Sequence, residues 1–341
     1  MKTGLWSRYK LRLARRRLLW RCFRSRHTLA PLRLDCAAIK EARILCIAVL
    51  RNEANRLPYW LNHHRRLGVE HFLIVDNGSD DGTRDLLEAP DISLWSTSAS
   101  YREARFGLDW AGWLLMRFGH RKWCLTLDAD ELLIYPDHDR MDLRALTALL
   151  ERRGQSALGA LMLDLFPKGP LGAQRHDPDQ DPLEVIPWFD TRYRAQRIGP
   201  RRKLWVQGGV RERVFFADAP ERAPTLNKLP LVFWRRHYAY DNSTHTALPP
   251  TLNMAYPGPK GLLPEPDALS GVLLHTKFLP EILPKSAIER ERKQHFHSPD
   301  LFDPYYRAIG AAPDLWHDEA RRFDGWRQLV KYGLMSEGDE K

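Results

Sequence analysis

The stretch "RILCIAVLRNEANRLPYWLNHHRRLGVEHFLIVD", Arg43 to Asp76, changes its apolar period twice. Its first eight residues are almost continuously apolar, the pattern of a strand buried on both faces. Leu57, Trp60, Leu61, His64 and Leu67 then recur at helical spacing, and Gly68 stops the run. "HFLIVD" is a second apolar strand. Strand, helix and strand in this order make a βαβ unit, which predicts a parallel pair. The alternation continues downstream. "TRDLLEA" predicts a short helix, "ISLWS" a third strand, "REARFGLDWAGWLLMRFG" a helix and "KWCLTLD" a fourth strand. A helix from about Met141 to Arg153 and the strand "ALGALMLDLF" follow. The class is α/β, with a mostly parallel, Rossmann-like sheet covered by helices on both faces.

In such sheets ligands bind beyond the C-terminal strand ends, so the polar residues there carry the chemistry. The first strand ends in Arg51-Asn52-Glu53, the second in Asp76-Asn77-Gly78-Ser79-Asp80-Asp81-Gly82, the fourth in Asp128-Ala129-Asp130-Glu131. Three carboxylates crowded between apolar runs repel one another and require a cation. Asp128 and Asp130, two apart at a strand end, can both reach one hard divalent ion and leave positions open for phosphate oxygens. Singly, each cluster reads as an ordinary turn or helix cap. Their order and spacing together give the signal.

The chain has 341 residues, 43% apolar and 11% aromatic, enough for a substantial core. Its longest clean apolar run, Ile44 to Leu50, is far short of the ~20 residues of a membrane helix. Cysteines at 22, 36, 46 and 124 form no CxxC pair, which argues against a disulfide or zinc framework. The net charge of +10 is local: eleven of the 53 Lys and Arg lie in residues 1–34, which hold no acid, leaving 42 basic residues against 43 acidic. There "GLWSRYKLRLARRRLLWRCFRSR" places Leu5, Trp6, Tyr9, Leu13, Trp20 and Phe23 near one helical face, interrupted by Arg12 and Arg16. Attachment to an anionic membrane surface, a solvated tail and nucleic-acid contact are the three readings, with nucleic acid the least favoured. "RHTLAPLRLDCAA" reads as a linker. After Phe166, "PKGPLGAQRHDPDQDPLEVIPWFD" reads as a long loop, followed by the strand-like pieces "KLWVQGG", "ERVFFA" and "LPLVFW" and then C-terminal helices.

"CIAVLRNEANRLPYWLNHHRRLGVEHFLIVDNGSDDGT" followed by "LTLDADE" resembles the nucleotide-diphospho-sugar transferase (GT-A) fold, and most of all family-2 glycosyltransferases of the bacterial branch with RNE and DADE motifs. The resemblance covers about residues 42–167 and continues through "GGVRERVFF", "KLPLVFW", "STHTALP" and "LLHTKFL". It implies a GT-A domain (41–280) with a mixed α+β acceptor region, which leaves the basic, membrane-associating N-terminal segment (1–40) that the charge pattern marks and a C-terminal helical extension (281–341). It implies a metal-dependent, inverting transferase taking a sugar from a UDP- or GDP-type donor to a cell-envelope glycan or lipid-linked acceptor, in the cytoplasm or on the inner face of the membrane. Asp128 and Asp130 would hold Mn²⁺ or Mg²⁺, with His275 completing the site. Arg51, Asn52, Glu53, Asp76 and Asn77 would meet the nucleotide, and Lys277 the diphosphate. No clear Glu-Asp pair follows the metal motif, so Glu131, Asp190 and Glu212 stand as candidates for the base. His245 could line the acceptor side, and Arg211 and Arg213 could face phosphate or an acidic acceptor, with at least one of them a surface strand charge. A sugar-nucleotidyltransferase is the rival enzyme, but it would carry a Gly-rich basic loop where "RNEANRLPYW" stands. A polyanion-binding protein on a degenerate transferase fold is the non-enzymatic rival.

Overall fold

The computed structural model describes residues 4–264, 267–292 and 299–338. The strands are β1 (Ala30–Arg33), β2 (Ile44–Leu50), β3 (His71–Asp76), β4 (Ile92–Ser96), β5 (Trp123–Thr126), β6 (Glu131–Ile134), β7 (Ala157–Asp164), β8 (Trp188–Phe189), β9 (Tyr193–Ile198), β10 (Lys203–Gly208), β11 (Asn227–Phe233), β12 (Ala239–Asn242), β13 (Thr246–Leu248), β14 (Ser270–His275) and β15 (Arg321–Arg322). The helices are α1 (Leu5–Ser25), α2 (Cys36–Glu41), α3 (Leu57–Arg66), α4 (Leu108–Phe118), α5 (Leu143–Arg152), α6 (Pro182–Val185), α7 (Ile282–Arg292), α8 (Pro299–Gly310) and α9 (Trp326–Lys331).

Nine strands form the central sheet, in the order β1-β4-β3-β2-β5-β11-β7-β14-β6. Six run one way, and β1, β11 and β6 run against them, so the sheet is mixed but mostly parallel in direction. The α/β class and the parallel start, β4-β3-β2-β5, are as the sequence predicts. Strands buried along their whole length explain the continuous apolar runs.

Several elements differ from expectation. "TRDLLEA" gives one 3₁₀ turn, Asp85–Leu87, closed off within three residues by Pro90. The helix around 102–119 starts only at Leu108, because Arg105, Phe106 and Gly107 take left-handed φ of 51°, 58° and 76°. That reversal lets Arg105 Nε reach Asp109 at 2.7 Å. "ERVFFA" is a π-helical turn, Arg211–Phe215, rather than a strand. Gly208 and Gly209, at φ of 136° and 66°, turn the chain out of β10 just before it.

The supposed linker "RHTLAPLRLDCAA" holds β1 and α2. β1 pairs with β4 at the sheet edge, and Asp35 caps α2 through the amide of Ala38. The chain therefore crosses the boundary expected near residue 40 inside one sheet. At the C-terminal end, Trp326 and Leu329 of α9 lie in the main core, and β15 pairs with β8 in a separate two-stranded sheet.

Candidate active site

The parallel strands all point their C-terminal ends to one edge, and two of the three reversed strands, β11 and β6, deliver their first residues to it. Asp76, Asp164 and His275 end β3, β7 and β14, while Lys228 and Glu131 stand at the starts of β11 and β6. Residues 127–130 cross that edge from β5 to β6, which lies four strand positions away. The backbone carbonyl of Asp130 accepts from the Thr276 amide at 2.8 Å, pinning the crossing segment to the end of β14. Asp128 and Asp130 therefore sit above the strand ends because the chain is spanning the sheet there.

On the β2–β3 side the polar loops lock one another. The Asn52 amide nitrogen Nδ2 donates to Asp80 Oδ1 at 2.7 Å, and the Asp80 backbone N–H donates to Asn52 Oδ1 at 3.0 Å. The Glu53 amide donates to Thr83 Oγ1. Asp76, fully buried, accepts from the Ser79 amide at 3.1 Å and from Arg84 Nη2 at 2.5 Å. Asn77 donates to the carbonyls of Thr97 and Ala99, and Arg51 reaches the Asn77 carbonyl at 3.4 Å. Asp76 and Asn77 are thus occupied in shaping the loop, and the exposed partner there is Arg84.

Across the edge, His275 lies between two carboxylates. Its Nδ1 is 2.5 Å from Asp164 Oδ1 and its Nε2 is 3.1 Å from Asp130 Oδ2. Burial alone would lower its pKa, but the Asp130 charge and both hydrogen bonds outweigh it and raise it. Burial would likewise raise Asp130, yet His275, Arg56 and Lys277 hold it well below the usual carboxylate range. Asp164 is also held low, at about 2, because Arg211 and His275 outweigh its burial. Arg211 Nε donates to Asp164 Oδ2 at 2.7 Å.

Asp128 and Glu131 share a different cation. Lys228 Nζ is 3.0 Å from Asp128 Oδ2 and 2.9 Å from Glu131 Oε1, the latter an ionic contact rather than a directed hydrogen bond. Burial opposes the ammonium, but Asp128 and Glu131 together hold it charged. Burial pushes the Glu131 carboxyl up to about 7 against the pull of Lys228. Glu131 Oε2 also accepts from the Asp128 amide at 3.1 Å, so this side chain is a fully buried clamp on the turn. Of the three base candidates, Glu131 therefore presents no exposed carboxylate oxygen.

The other base candidates are paired. Asp190 accepts from Arg213 Nε at 3.0 Å and lies 2.9 Å from His317 Nε2. Glu212 is ion-paired with Arg194. Arg211 is buried against Asp164, whereas Arg213, although paired with Asp190, is exposed and is the surface charge expected of one of them. His245 is a loop histidine, its Nδ1 2.5 Å from the Asn227 carbonyl.

Cations gather around Asp130. Arg56, only 6% exposed, lies 3.9 Å from Asp130 Oδ2 and 3.7 Å from Glu53 Oε2 through Nη1. Its Nε and Nη2, and Nη2 of Arg211, are buried without a hydrogen-bond partner among the described residues. Lys285 reaches Glu53 Oε2 at 2.5 Å. Lys277 and Lys285 both have lowered pKa values, first through burial and then through neighbouring guanidinium groups. Unsatisfied buried donors of one sign mark a place where an anion belongs.

Sequence reasoning missed Asp164, Lys228, Arg56 and Lys285. The first two had a signal: each is the charged terminus of an otherwise apolar strand, like Asp76 and Asp128. For a divalent ion, the donor chemistry of Asp130, His275 and the half-exposed Asp128 fits, with Asp164 fixing the imidazole by its other nitrogen. Asp128 turns to Lys228, so among the described residues no three such donors meet at one point.

No family profile matches the chain. Among curated proteins it is similar to a glycosyltransferase family 92 protein of Oryza sativa subsp. japonica, 30% identical over 111 residues, covering 30% of this chain and 18% of that protein. A family 92 protein of Arabidopsis thaliana is 30% identical over 141 residues, covering 38% and 24%, and one of Ricinus communis is 28% identical over 103, covering 28% and 17%. The match therefore spans less than a quarter of each relative. Among solved structures, S. aureus TarS residues 1–349 align with a TM-score of 0.28 at 13% identity, over 39% of this chain and 40% of that one. The mannosyltransferase PcManGT from Pyrobaculum calidifontis, in complex with GDP-Man and Mn²⁺, aligns with a TM-score of 0.26 at 19% identity, over 48% and 46%.

Proposed function

We propose that the chain is a glycosyltransferase of the GT-A type that transfers a sugar from a nucleoside-diphosphate donor. The observation that carries this reading is the buried Arg56, with two nitrogens unpartnered among the described residues, beside the carboxylate of Asp130. An anion next to a pair of hard-cation donors is what a sugar diphosphate and its counter-ion present. The curated relatives, which carry the glycosyltransferase name, support it over their matched segments. Assignment to family 2 rests on the motif resemblance alone, since those relatives carry the family 92 name. The inverting outcome and a cell-envelope glycan as acceptor also rest on that resemblance.

In this reading the interlocked loops of Asn52 and Asp76 seat the nucleoside. Arg56, Lys277 and Lys285 bind the diphosphate and stabilise the charge that builds on it as the glycosidic bond breaks. Asp128, Asp130 and His275 would hold Mn²⁺ or Mg²⁺, which supplies Lewis-acid stabilisation of the same leaving group. Asp164 holds Nδ1 of His275 so that Nε2 faces the donor site. Asp190 is the base we retain, because the ring of its partner His317 is 29% exposed and connects the carboxylate to solvent. The test is a panel of UDP- and GDP-sugars scored for release of nucleoside diphosphate with Mn²⁺ and with EDTA. Release from one of them, lost in EDTA, is expected. The reading fails if none is hydrolysed and neither UDP nor GDP with Mn²⁺ raises the melting temperature.

A further inference from the structure

α1 has two working faces. Along one, Leu11, Leu18 and Cys22 turn toward the body, and the C-terminal turns are fastened to the start of α4. Arg21 Nε donates to Asp109 Oδ2 at 3.0 Å, and Ser25 Oγ donates to the Asp109 carbonyl at 3.0 Å. Gly112 makes the approach possible, since a Cβ there would lie 2.5 Å from Cys22 Sγ. The helix is thus held in a fixed orientation by a buried acid and a close contact.

The opposite face meets the body at its C-terminal end, where Phe23 packs edge-on against Trp113 of α4 at 5.9 Å, and is exposed along the rest of its length. At 100° per residue, Leu5, Trp6, Tyr9, Leu13, Trp20 and Phe23 fall within an arc of about 100°. All six are exposed, Leu5 to 85%, Trp6 to 66% and Trp20 to 59%. Arg12, Arg16 and Arg24 lie along the same arc, also exposed. The helix carries eight Lys and Arg and no acid. Because apolar residues occupy both faces, α1 lacks the one-sided pattern of an ordinary surface helix, yet its outer side joins aromatic rings to cations. No helix among the described residues is long and apolar enough to cross a membrane.

We propose that this outer face lies in the interface of an anionic membrane, with α1 in the plane of the surface and the sheet domain held above it. Charge complementarity chooses the occupant: the face offers only cations, and its tryptophans match the headgroup boundary, where an amphipathic ring is half in lipid and half in water. A polyanion without an apolar phase, such as duplex RNA, would satisfy the arginines and leave Trp6 and Leu13 in water. Attachment at the start of α4 places the anchor beside the loop after β4, to which Arg21 Nη2 also bonds through the Glu103 carbonyl. The proposal stands independently of the reaction at the strand ends.

The test uses the full chain, because residues 30–33 belong to the sheet and truncation would open its edge. Vesicles of phosphatidylcholine with 30% phosphatidylserine are floated with the wild type and two variants, each first checked for an unchanged melting temperature. Arg12→Gln/Arg16→Gln/Arg24→Gln should weaken partitioning by about a hundredfold, roughly fivefold per charge. Trp6→Ser/Leu13→Ser/Trp20→Ser should weaken it at least tenfold and abolish the blue shift in fluorescence. Pure phosphatidylcholine vesicles should bind little of any form. The proposal is overturned if the wild type does not float with the anionic vesicles, or if the Trp6/Leu13/Trp20 variant floats equally well. It is also overturned if duplex RNA binds the wild type and that variant alike and displaces both from the vesicles.

Discussion

The two sides of the sheet edge satisfy their charged groups in opposite ways. Around β3 and β2 the aspartates are answered within the loops: Asp76 by Arg84 and an amide, Asp80 by Asn52, Asp81 by the amides of Ala54 and Thr83. Across β11, β7 and β14 the cations outnumber their partners. Arg56 and Arg211 keep buried nitrogens unpaired among the described residues, and two lysines are pushed toward neutrality. The first side is a finished cradle whose shape does not depend on a ligand. The second is incomplete electrostatically, and binding an anion there removes the cost of desolvated, unmatched positive charge.

That contrast predicts where substitutions act. Asp130→Asn lies where the site is incomplete, and should lower nucleotide-sugar hydrolysis on the order of a thousandfold, corresponding to loss of several kcal/mol of leaving-group stabilisation. Turnover within tenfold of wild type at limiting Mn²⁺ would assign the cation elsewhere. Lys228→Met should act on stability. It leaves Glu131 buried without its cation and should cost about 3–5 kcal/mol in urea unfolding. Lys228→Met/Glu131→Leu should recover most of that loss, since an apolar pair can replace a buried ion pair. If the double variant is no more stable than the single one, the ion pair is not what Lys228 contributes.

Asp164→Asn should weaken Mn²⁺ binding, followed by the ion's electron paramagnetic resonance, by about 10–100-fold, because the imidazole loses the partner that orients it. Asp76→Asn, on the finished side, should leave Mn²⁺ binding unchanged and weaken UDP or GDP binding by roughly tenfold, the loss of one charge-assisted hydrogen bond that shapes the loop. Equal effects of both changes on the metal would abolish the distinction between the two sides.

The same division governs how much the sequence discloses. β2, α3 and β3 are contiguous, so their periods and the loops between them are readable in one stretch of 33 residues, Ile44–Asp76. Asp128 and Asp130 were legible because crowded carboxylates between apolar runs require a cation. The identity of that cation's neighbours was not. Lys228 reaches Asp128 across 100 positions, and His275 reaches Asp164 across 111. Those meetings depend on β11 inserting antiparallel between β5 and β7, a choice of strand order that no local period encodes. The burial of Glu131 was hidden for a related reason: its place beside two site residues suggests chemistry, while the reversal into β6 buries it.

The seam between the two sides gives the smallest predicted effect. α3, from the contiguous side, holds the edge strand β6 through two histidines on one carbonyl-amide unit. His63 Nε2 donates to the Leu133 carbonyl at 2.8 Å, and His64 Nε2 accepts from the Leu133 amide at 3.4 Å while its Nδ1 donates to the Trp60 carbonyl. That arrangement requires His64 neutral, since a protonated ring has no acceptor to offer Leu133. Burial lowers the His63 pKa to about 4 and holds His64 well below its ordinary value, with His63 adding repulsion. Both folded values lie below the unfolded value near 6.5, so the unfolded chain binds the extra protons as pH falls. The stability of the neutral pair is therefore full above pH 6.5 and declines toward pH 4, by up to about 1.4 kcal/mol per pH unit for each ring. Hydrogen exchange between pH 6.5 and 4.5, corrected for its intrinsic rate, should show the Leu133 amide losing protection earlier than amides of β3. His64→Gln should flatten that dependence, because the amide side chain keeps a neutral acceptor. If Leu133 and β3 lose protection in parallel, the seam opens only with the whole sheet, and the two sides behave as one unit.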